Sequence, residues 1–242
     1  HITRMGGRVE ELVTKEGLDP HYIHPFKGNF DIPRLTKLIE EVGADHIPFV
    51  RIEAGTNLIG GQPLSMENML EVAQICRENG ILSVLDASLL QDNLYFIKTR
   101  EESAKDMTIA EIMRKIADAM DLIYFSSRKL GFSRGGAIVS NNNDLIMKMK
   151  EYIPLYEGFL TYGGMEVRSM EAMAVGLLET LDEEIINQGP LFIEYLVKEL
   201  DEYGVPIVKP AGGLGAHINS SQFLPHIPHE QYPAGALPTA LY

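Results

Sequence analysis

The stretch Ile81–Ala87, ILSVLDA, decides the fold class of this chain. It is a short apolar run bounded by a turn signal, which is typical of a buried strand, and the helix stop Asn79-Gly80 comes directly before it. Residues 66–78 ahead of that stop repeat apolar side chains at helical spacing. A helix that feeds a buried strand is the repeating unit of an α/β fold, so we predict a mostly parallel sheet with flanking helices.

The same alternation continues on both sides of this stretch. Further strands are predicted at Ile47–Glu53, Leu122–Ser127 and Gly136–Ser140. Asp31 as N-cap, Pro33 in the first turn and Gly43 after the end predict a helix over residues 32–42. Another helix is predicted over 107–120.

After Ser140 the pattern changes to long helices, which we predict at 141–153, 168–185 and 188–204, with the glycine-rich segment 157–164 between the first two and a strand within 205–213. We expect a large domain over 1–188 and the start of a smaller α+β domain over 189–242.

Composition excludes several classes of function. The chain has 242 residues, and 21 Lys and Arg against 34 Asp and Glu give a net charge of −13, which disfavours nucleic acid and anionic membranes as partners. Cys76 is the single cysteine, so no intrachain disulfide forms, and we expect a buried, inert thiol.

No apolar run reaches the roughly 18 residues of a membrane span, and we expect a soluble, cytoplasmic protein. We expect no metal site either, because the histidine pairs at 21/24 and 226/229 lie beside prolines.

Three predicted strand ends carry polar side chains that a ligand could use. Asn57 follows the first strand, although its glycine-rich surroundings also suit a plain turn. Asp86 ends ILSVLDA, where it is either an N-cap for the next turn or a carboxylate that needs a cationic partner. Lys129 follows Ser126 and Arg128 in YFSSRKLGFSRGG (124–136), which is either a solvated basic loop or a phosphate site.

Asp86 and Lys129 become more informative when they are taken together. They are 43 residues apart and end neighbouring strands, so both are predicted to face one crevice at the carboxyl edge of the sheet. A lysine amine that can form an imine and a carboxylate that can keep a ring nitrogen protonated are the two groups that pyridoxal phosphate requires. P-loop, GxSxG and HExxH motifs are absent from the sequence.

At this point the sequence resembles a known family, the β-eliminating lyases that include tryptophanase and tyrosine phenol-lyase. The motifs that carry the resemblance extend over nearly the whole chain, and the first and last of them are more similar to tryptophanase: FKGNFDI, GGQPLSM, DNLYFIK, EGFLTYGG, SMEAMAVGL, AGG and LPHIPHEQYPAGAL.

The resemblance implies the aspartate-aminotransferase-like fold (fold type I) of pyridoxal phosphate enzymes, assembly as a homo-oligomer, a dimer or tetramer, and a monovalent cation such as K⁺. It also implies cleavage of an amino acid substrate to pyruvate and ammonia. By position, Lys129 corresponds to the family's cofactor-bearing lysine and Asp86 to the carboxylate at the ring nitrogen. Asn57 corresponds to the cofactor-binding asparagine near the substrate carboxylate and a cofactor oxygen, Ser126 to a phosphate ligand, and Arg128 to a lysine beside the phosphate.

The chain also departs from the family pattern. Leu89 stands where the family has an arginine that contacts the cofactor, Leu214 stands where it has a histidine, and the run from Lys129 to Gly135 is shorter by one residue. Family chains extend further at both ends, so we expect a piece of a longer protein. The sequence therefore leaves open β-elimination, another reaction of the same scaffold such as aldol cleavage or a cysteine or serine lyase, and a non-catalytic core.

Overall fold

The sheet is the centre of the fold in this computed structural model, which describes residues 2–156, 158–159 and 164–242. Its strands are β1 (Phe49–Glu53), β2 (Leu82–Asp86), β3 (Leu122–Ser126) and β4 (Gly136–Val139), in the order β1-β2-β3-β4. The first three are parallel, and β4 is antiparallel to β3. The connection over 127–135 is too short for a crossover helix, which explains the reversal. The predicted mostly parallel sheet is confirmed, and the strand bounds differ from the predicted ones by two residues or fewer.

Helices surround this sheet and continue beyond it. In chain order they are α1 (Lys15–Leu18), α2 (Ile32–Val42), α3 (Met66–Glu78), α4 (Leu90–Arg100), α5 (Ile109–Ala119), α6 (Asn143–Lys150), α7 (Ile153–Tyr156), α8 (Val167–Glu179), α9 (Glu183–Ile186), α10 (Gln188–Glu202), α11 (Ser220–Phe223) and α12 (Pro233–Leu241). The prediction for α2 is confirmed, since Asp31 accepts a hydrogen bond from the Arg34 N–H. None of the described helices has both the length and the apolar character that crossing a bilayer requires.

Three predictions for the later part of the chain were wrong. The helix predicted over 168–185 is divided into α8 and α9 because Asp182 caps a new helix by accepting the Glu184 N–H. The helix predicted over 141–153 is likewise divided into α6 and α7. In place of a strand over 205–213, the described residues form only a single bridge between Ile207 and Ile218, because the prolines at 206 and 210 lack the N–H that a ladder requires. Most of the glycine-rich segment 157–164 lies outside the described residues.

Helix α4, which lies between β2 and α5, was not predicted from the sequence. Its side chains Leu94, Phe96 and Ile97 are fully buried. Asn93 of the same helix donates to and accepts from the backbone of Leu64, both at 2.8 Å, and so ties α4 to the segment ahead of α3.

The two faces of the sheet differ in burial. Ile52 and Leu85 point to one face and are fully buried in a core that includes residues of α3 and α5. Cys76 of α3 belongs to this core, so the predicted buried thiol is confirmed, and burial raises its pKa to about 11. Arg51 and Ile138 lie on the other face and are exposed. Because side chains alternate along a strand, Asp86 and Tyr124 lie on this second, open face.

A second hydrophobic cluster contains Val197, Ile207 and Ala211 and involves α10 with the segment after it. The boundary that we predicted at residue 189 stays a prediction.

Arg100 at the end of α4 connects this helix to the second cluster. Its guanidinium donates to the carbonyl oxygens of Pro25 and Ala211, pairs with Glu194 of α10 at 3.2 Å, and lies 3.9 Å from the ring centre of Phe96. Because the planar guanidinium of an arginine spreads its N–H donors over a rigid fork, it can bond these three acceptors at the same time.

We therefore expect Arg100→Lys to lower the free energy of unfolding of the full-length protein by about 2 kcal/mol, because a single ammonium cannot bond Glu194 and the partly buried carbonyl oxygen of Ala211 as the guanidinium does. Urea denaturation measures this loss. Arg114→Lys is the matched control and should change nothing measurable. Among the described residues Arg114 pairs with Asp118 alone, at 3.7 Å and on the exposed face of α5. Equal stability of both variants would contradict the connecting role.

Candidate cofactor site at the ends of β2 and β3

The carboxyl ends of β2 and β3 are joined by a short chain of hydrogen bonds. The Ser88 N–H donates to Oδ1 of Asp86 at 3.1 Å, and the Ser126 N–H donates to Oγ of Ser88 at 3.1 Å. The structure thus brings Asp86 and Ser126 to one edge of the sheet, as predicted from their strands. Ser88 was missed by the sequence analysis, and its position two residues after the strand carboxylate was the available signal.

The Asp86 carboxylate has further partners on the open face. The Tyr124 hydroxyl donates to its Oδ2 at 2.9 Å, and the Arg51 guanidinium lies 3.7 Å from the same oxygen. Arg51 also donates to the Tyr124 hydroxyl at 3.2 Å and pairs with Glu53 at 3.0 Å. The cationic partner expected for Asp86 is therefore Arg51. The alternative of a turn cap is also partly correct, because Oδ1 accepts the Ser88 N–H.

Burial is the main reason why the pKa of the Tyr124 phenol lies above its ordinary value, and its hydrogen bond to Asp86 acts in the same direction. The hydrogen bond from Arg51 opposes this rise. Tyr124 consequently remains a protonated donor to Asp86 at neutral pH.

Lys129 lies in the loop that follows β3. Its backbone N–H donates to the Ser126 carbonyl oxygen at 3.1 Å, and the loop closes through a hydrogen bond from the Ser127 N–H to Gly135 O at 2.9 Å. Among the described residues, no hydrogen bond or ion pair engages the side-chain charges of Lys129, Arg128 or Arg134. Their donors are therefore available to a ligand.

Helix α8 holds this loop in place. Ser127 Oγ contacts the Met173 sulfur at 2.8 Å, and Ser133 Oγ donates to Ser169 O at 2.9 Å. Gly176 allows the closest contact, because a Cβ on it would stand 2.0 Å from the Gly131 carbonyl oxygen. The position of the lysine loop thus depends on two glycines that are distant in sequence.

Asn57 begins a 3-10 turn after β1, and its N–H donates to Glu53 at 3.4 Å while its side chain is exposed. The glycines after this turn do more than change the chain direction. The carbonyl oxygens of Gly60 and Gly61 accept the N–H groups of Leu214 and Gly213, at 3.1 and 3.0 Å. The AGG motif therefore packs backbone to backbone against the loop that carries Asn57.

Leu89, at the position where the resemblance implies an arginine, is a buried leucine beside Gly55. It is 6% exposed, and a Cβ on Gly55 would lie 2.9 Å from the Leu89 Cβ. Within the part of the chain that the structure describes, Arg51 is the guanidinium at ion-pair distance from Asp86.

Asp92 of α4 lies beside the AGG motif. A Cβ added to Gly213 would stand 2.5 Å from the Cβ of Asp92. Burial raises the pKa of the Asp92 carboxyl to about 6, against a weaker opposing hydrogen bond from Gln91. The folded state therefore binds more protons than the unfolded state between about pH 4 and 6. The free energy of unfolding therefore falls as the pH rises from about 4 to about 6. Above about pH 6 the Asp92 carboxyl is ionised in the folded state, and the full cost of burying its charge lowers the stability.

We expect Asp92→Asn to raise the free energy of unfolding at pH 7 by about 2 kcal/mol and to remove this dependence between pH 4 and 6. Melting temperature measured against pH checks both effects. Asp106→Asn, at an exposed carboxylate, should leave the profile unchanged. A variant Asp92→Asn that is less stable at pH 7 would contradict the argument.

The donor set at this edge fits pyridoxal phosphate. Arg128 and the Ser126 hydroxyl suit a phosphate, the Lys129 amine suits an aldehyde, and Asp86 retains free lone pairs beside its bonds to Tyr124 and Ser88. In the described part of the chain, no three His, Cys, Asp or Glu side chains are placed to hold a metal ion. A cleft of about 610 Å³ adjoins the loop and is lined by Phe132, Ser133, Arg134, Glu166, Arg168, Ser169 and Ala172. None of the predicted site residues lines this cleft.

The sequence of the chain is similar to those of two kinds of lyase. The chain is 41% identical to a tyrosine phenol-lyase of Pasteurella multocida and 40% identical to a tryptophanase of Rhodobacter capsulatus. Each match covers 100% of this chain and 53% of the relative, so the chain spans about half the length of these relatives. The two identities do not favour tryptophanase over tyrosine phenol-lyase.

Solved structures share the fold at low sequence identity. A threonine aldolase of Leishmania major matches with a TM-score of 0.57 at 18% identity, covering 78% of this chain and 51% of that one. A putative L-allo-threonine aldolase of Listeria monocytogenes matches with a TM-score of 0.52 at 21% identity, covering 70% and 43%. These matches and the α/β architecture confirm the predicted fold type I.

The model of the family described as "Beta-eliminating lyase" matches residues 1–234. This match agrees with the sequence motifs and with the residues at the strand ends of the sheet. The chain therefore belongs to the β-eliminating lyase family, whose cofactor is pyridoxal phosphate.

Proposed function

We propose that the whole protein is a pyridoxal phosphate-dependent lyase that eliminates the side chain of an amino acid and releases pyruvate and ammonia. The observation that carries this proposal is the hydrogen-bonded edge that places Asp86 and Ser126, with the Lys129 loop, at the ends of adjacent parallel strands. Membership of the β-eliminating lyase family supports the cofactor and the class of reaction.

Five residues would hold the cofactor and substrate. Ser126 and Arg128 would bind the phosphate, Asp86 the ring nitrogen, and Lys129 the aldehyde carbon, while the exposed side chain of Asn57 would approach the substrate carboxylate. When bound, pyridoxal phosphate supplies an electron sink for the pair released at Cα.

Side chains of this protein would transfer or hold the protons of the reaction. The Lys129 amine, which has no partner among the described residues, is suited to accept the Cα proton of the substrate once it is free. The Asp86 carboxylate would keep the ring nitrogen protonated when the cofactor is bound. Tyr124 and Ser88 hold that carboxylate from two sides.

Pyruvate release from tryptophan, tyrosine, cysteine and serine by the purified full-length protein tests the reaction and names the leaving group. Because Leu89 removes a guanidinium that the family uses, aldol cleavage is the second candidate, and release of glycine and acetaldehyde from threonine identifies it. A full-length protein that binds no cofactor and acts on none of these substrates would overturn the proposal in favour of a non-catalytic core.

We further place the protein in the cytoplasm as a homo-oligomer, a dimer or tetramer, that uses K⁺. Exposed apolar side chains on α8 and α10 support self-association, among them Leu178 at 70% and Phe192 at 72% exposure. Light scattering after size exclusion tests the assembly. Activity in K⁺ compared with Na⁺ at equal ionic strength tests the cation.

A further inference from the structure

Arg51 lies between two carboxylates on the open face of the sheet. It pairs with Glu53 at 3.0 Å and with Asp86 at 3.7 Å, and these two acidic residues are partners in the β1–β2 register. Its positive charge is therefore shared between Glu53 and Asp86. Arg51 was not among the candidate site residues predicted from the sequence.

The Tyr124 hydroxyl bridges Arg51 and Asp86. It accepts a hydrogen bond from Arg51 at 3.2 Å and donates one to Oδ2 of Asp86 at 2.9 Å. A direct charge-assisted hydrogen bond between guanidinium and carboxylate would be about 2.7–2.9 Å long. The guanidinium instead stands 3.7 Å from that oxygen, so Tyr124 acts as a spacer.

The geometry leaves Asp86 with part of its charge compensated and with lone pairs to spare. Tyr124 and Arg51 occupy the side of Oδ2, and the Ser88 N–H takes one position on Oδ1. The Asp86 side chain is 15% exposed, while that of Arg51 is 47% exposed, so solvent weakens the compensation without removing it.

We propose that Arg51 and Tyr124 are positioning residues that set how much negative charge Asp86 presents to the ring nitrogen of the cofactor. Arg51 lowers that charge, and Tyr124 limits the lowering by holding the guanidinium away. This inference rests on the proposed function, since it requires that Asp86 faces the ring nitrogen.

The test compares the affinity of the full-length protein for pyridoxal phosphate with its affinity for 1-deaza-pyridoxal phosphate, in which a carbon replaces the ring nitrogen. Only the first ligand senses the charge of Asp86 through a ring proton. Dissociation constants come from protein fluorescence, so no turnover is needed. Melting temperatures establish that each variant is folded.

Arg51→Gln should bind pyridoxal phosphate about threefold more tightly, because the competing cation is gone. Tyr124→Phe should bind it about threefold more weakly, because the guanidinium can then approach Asp86 more closely. Glu53→Gln should also bind it about threefold more weakly, because the charge of Arg51 then acts on Asp86 alone. Arg51→Lys, which keeps the charge, should stay close to the unsubstituted protein. Affinity for the deaza compound should be the same in all of them, and the exposed variant Arg114→Gln should affect neither ligand.

Equal shifts for both ligands in Arg51→Gln, or failure of Arg51→Lys to restore the original value, would overturn the inference and leave the proposed function standing. If Arg51→Gln does not fold, the opposite-signed effect expected of Glu53→Gln decides the question alone. A full-length protein that binds neither ligand would overturn the proposed function and this inference together.

Discussion

Replacing Lys129 by alanine should abolish both the visible absorbance of protein-bound pyridoxal phosphate and the covalent attachment of the cofactor. The ε-amine is the nucleophile that the aldehyde requires, and none of the neighbouring cations can replace it, since a guanidinium does not deprotonate in proteins. The fold should be unaffected, because the Lys129 side chain makes no hydrogen bond or ion pair among the described residues.

Borohydride reduction followed by peptide mass mapping gives the most direct measurement. In the unsubstituted full-length protein the cofactor mass should appear on the peptide that contains Lys129. Arg134→Ala is the matched control, because it removes an exposed cation from the same loop, and it should retain both absorbance and label. Label on another lysine, or full colour in Lys129→Ala, would show that the assignment is wrong.

Gly176→Ala should strongly destabilise the protein. A Cβ at this position would stand 2.0 Å from the Gly131 carbonyl oxygen, so backbone must move on one side of the contact. We expect a loss of about 3 kcal/mol in the free energy of unfolding. Cofactor affinity should fall as well, because Gly131 belongs to the Lys129 loop.

Gly189→Ala provides the matched comparison within a helix. Among the residues that the structure describes, its Cβ would meet Asp92 Oδ1 alone, at 3.7 Å, which is an ordinary van der Waals contact. Alanine is the better helix former, by up to about 1 kcal/mol in a helix interior and by less at Gly189, the second residue of α10, so this variant should be as stable as the original or slightly more stable. Urea denaturation of both variants in the full-length protein separates the two cases. Similar stability of Gly176→Ala and Gly189→Ala would contradict the proposed close packing.

The strands and the best helices could be predicted because their signals are local. ILSVLDA is apolar, short and bounded by Asn79-Gly80, and the N-cap Asp31 and Gly43 bound α2. The same reasoning failed where a capping residue lies inside an apolar helical pattern, as Asp182 does between α8 and α9. It also missed α4, since the apolar spacing that buries Leu94 and Ile97 is interrupted by polar residues such as Asn93, whose partner Leu64 is distant in sequence.

By itself, the sequence determined the α/β class, the order of the strands along the chain, and which residues stand at the strand ends. Those properties follow from hydrophobic period and from short-range capping, and Asp86, Ser126 and Lys129 could be chosen on that basis. The tertiary structure alone decided that Arg51 and Tyr124 surround Asp86, that Ser88 joins β2 to β3, and that Gly176 supports the lysine loop. Each of these contacts joins residues that are distant in the chain or that lie on different strands, and only the sheet register and helix packing bring them together.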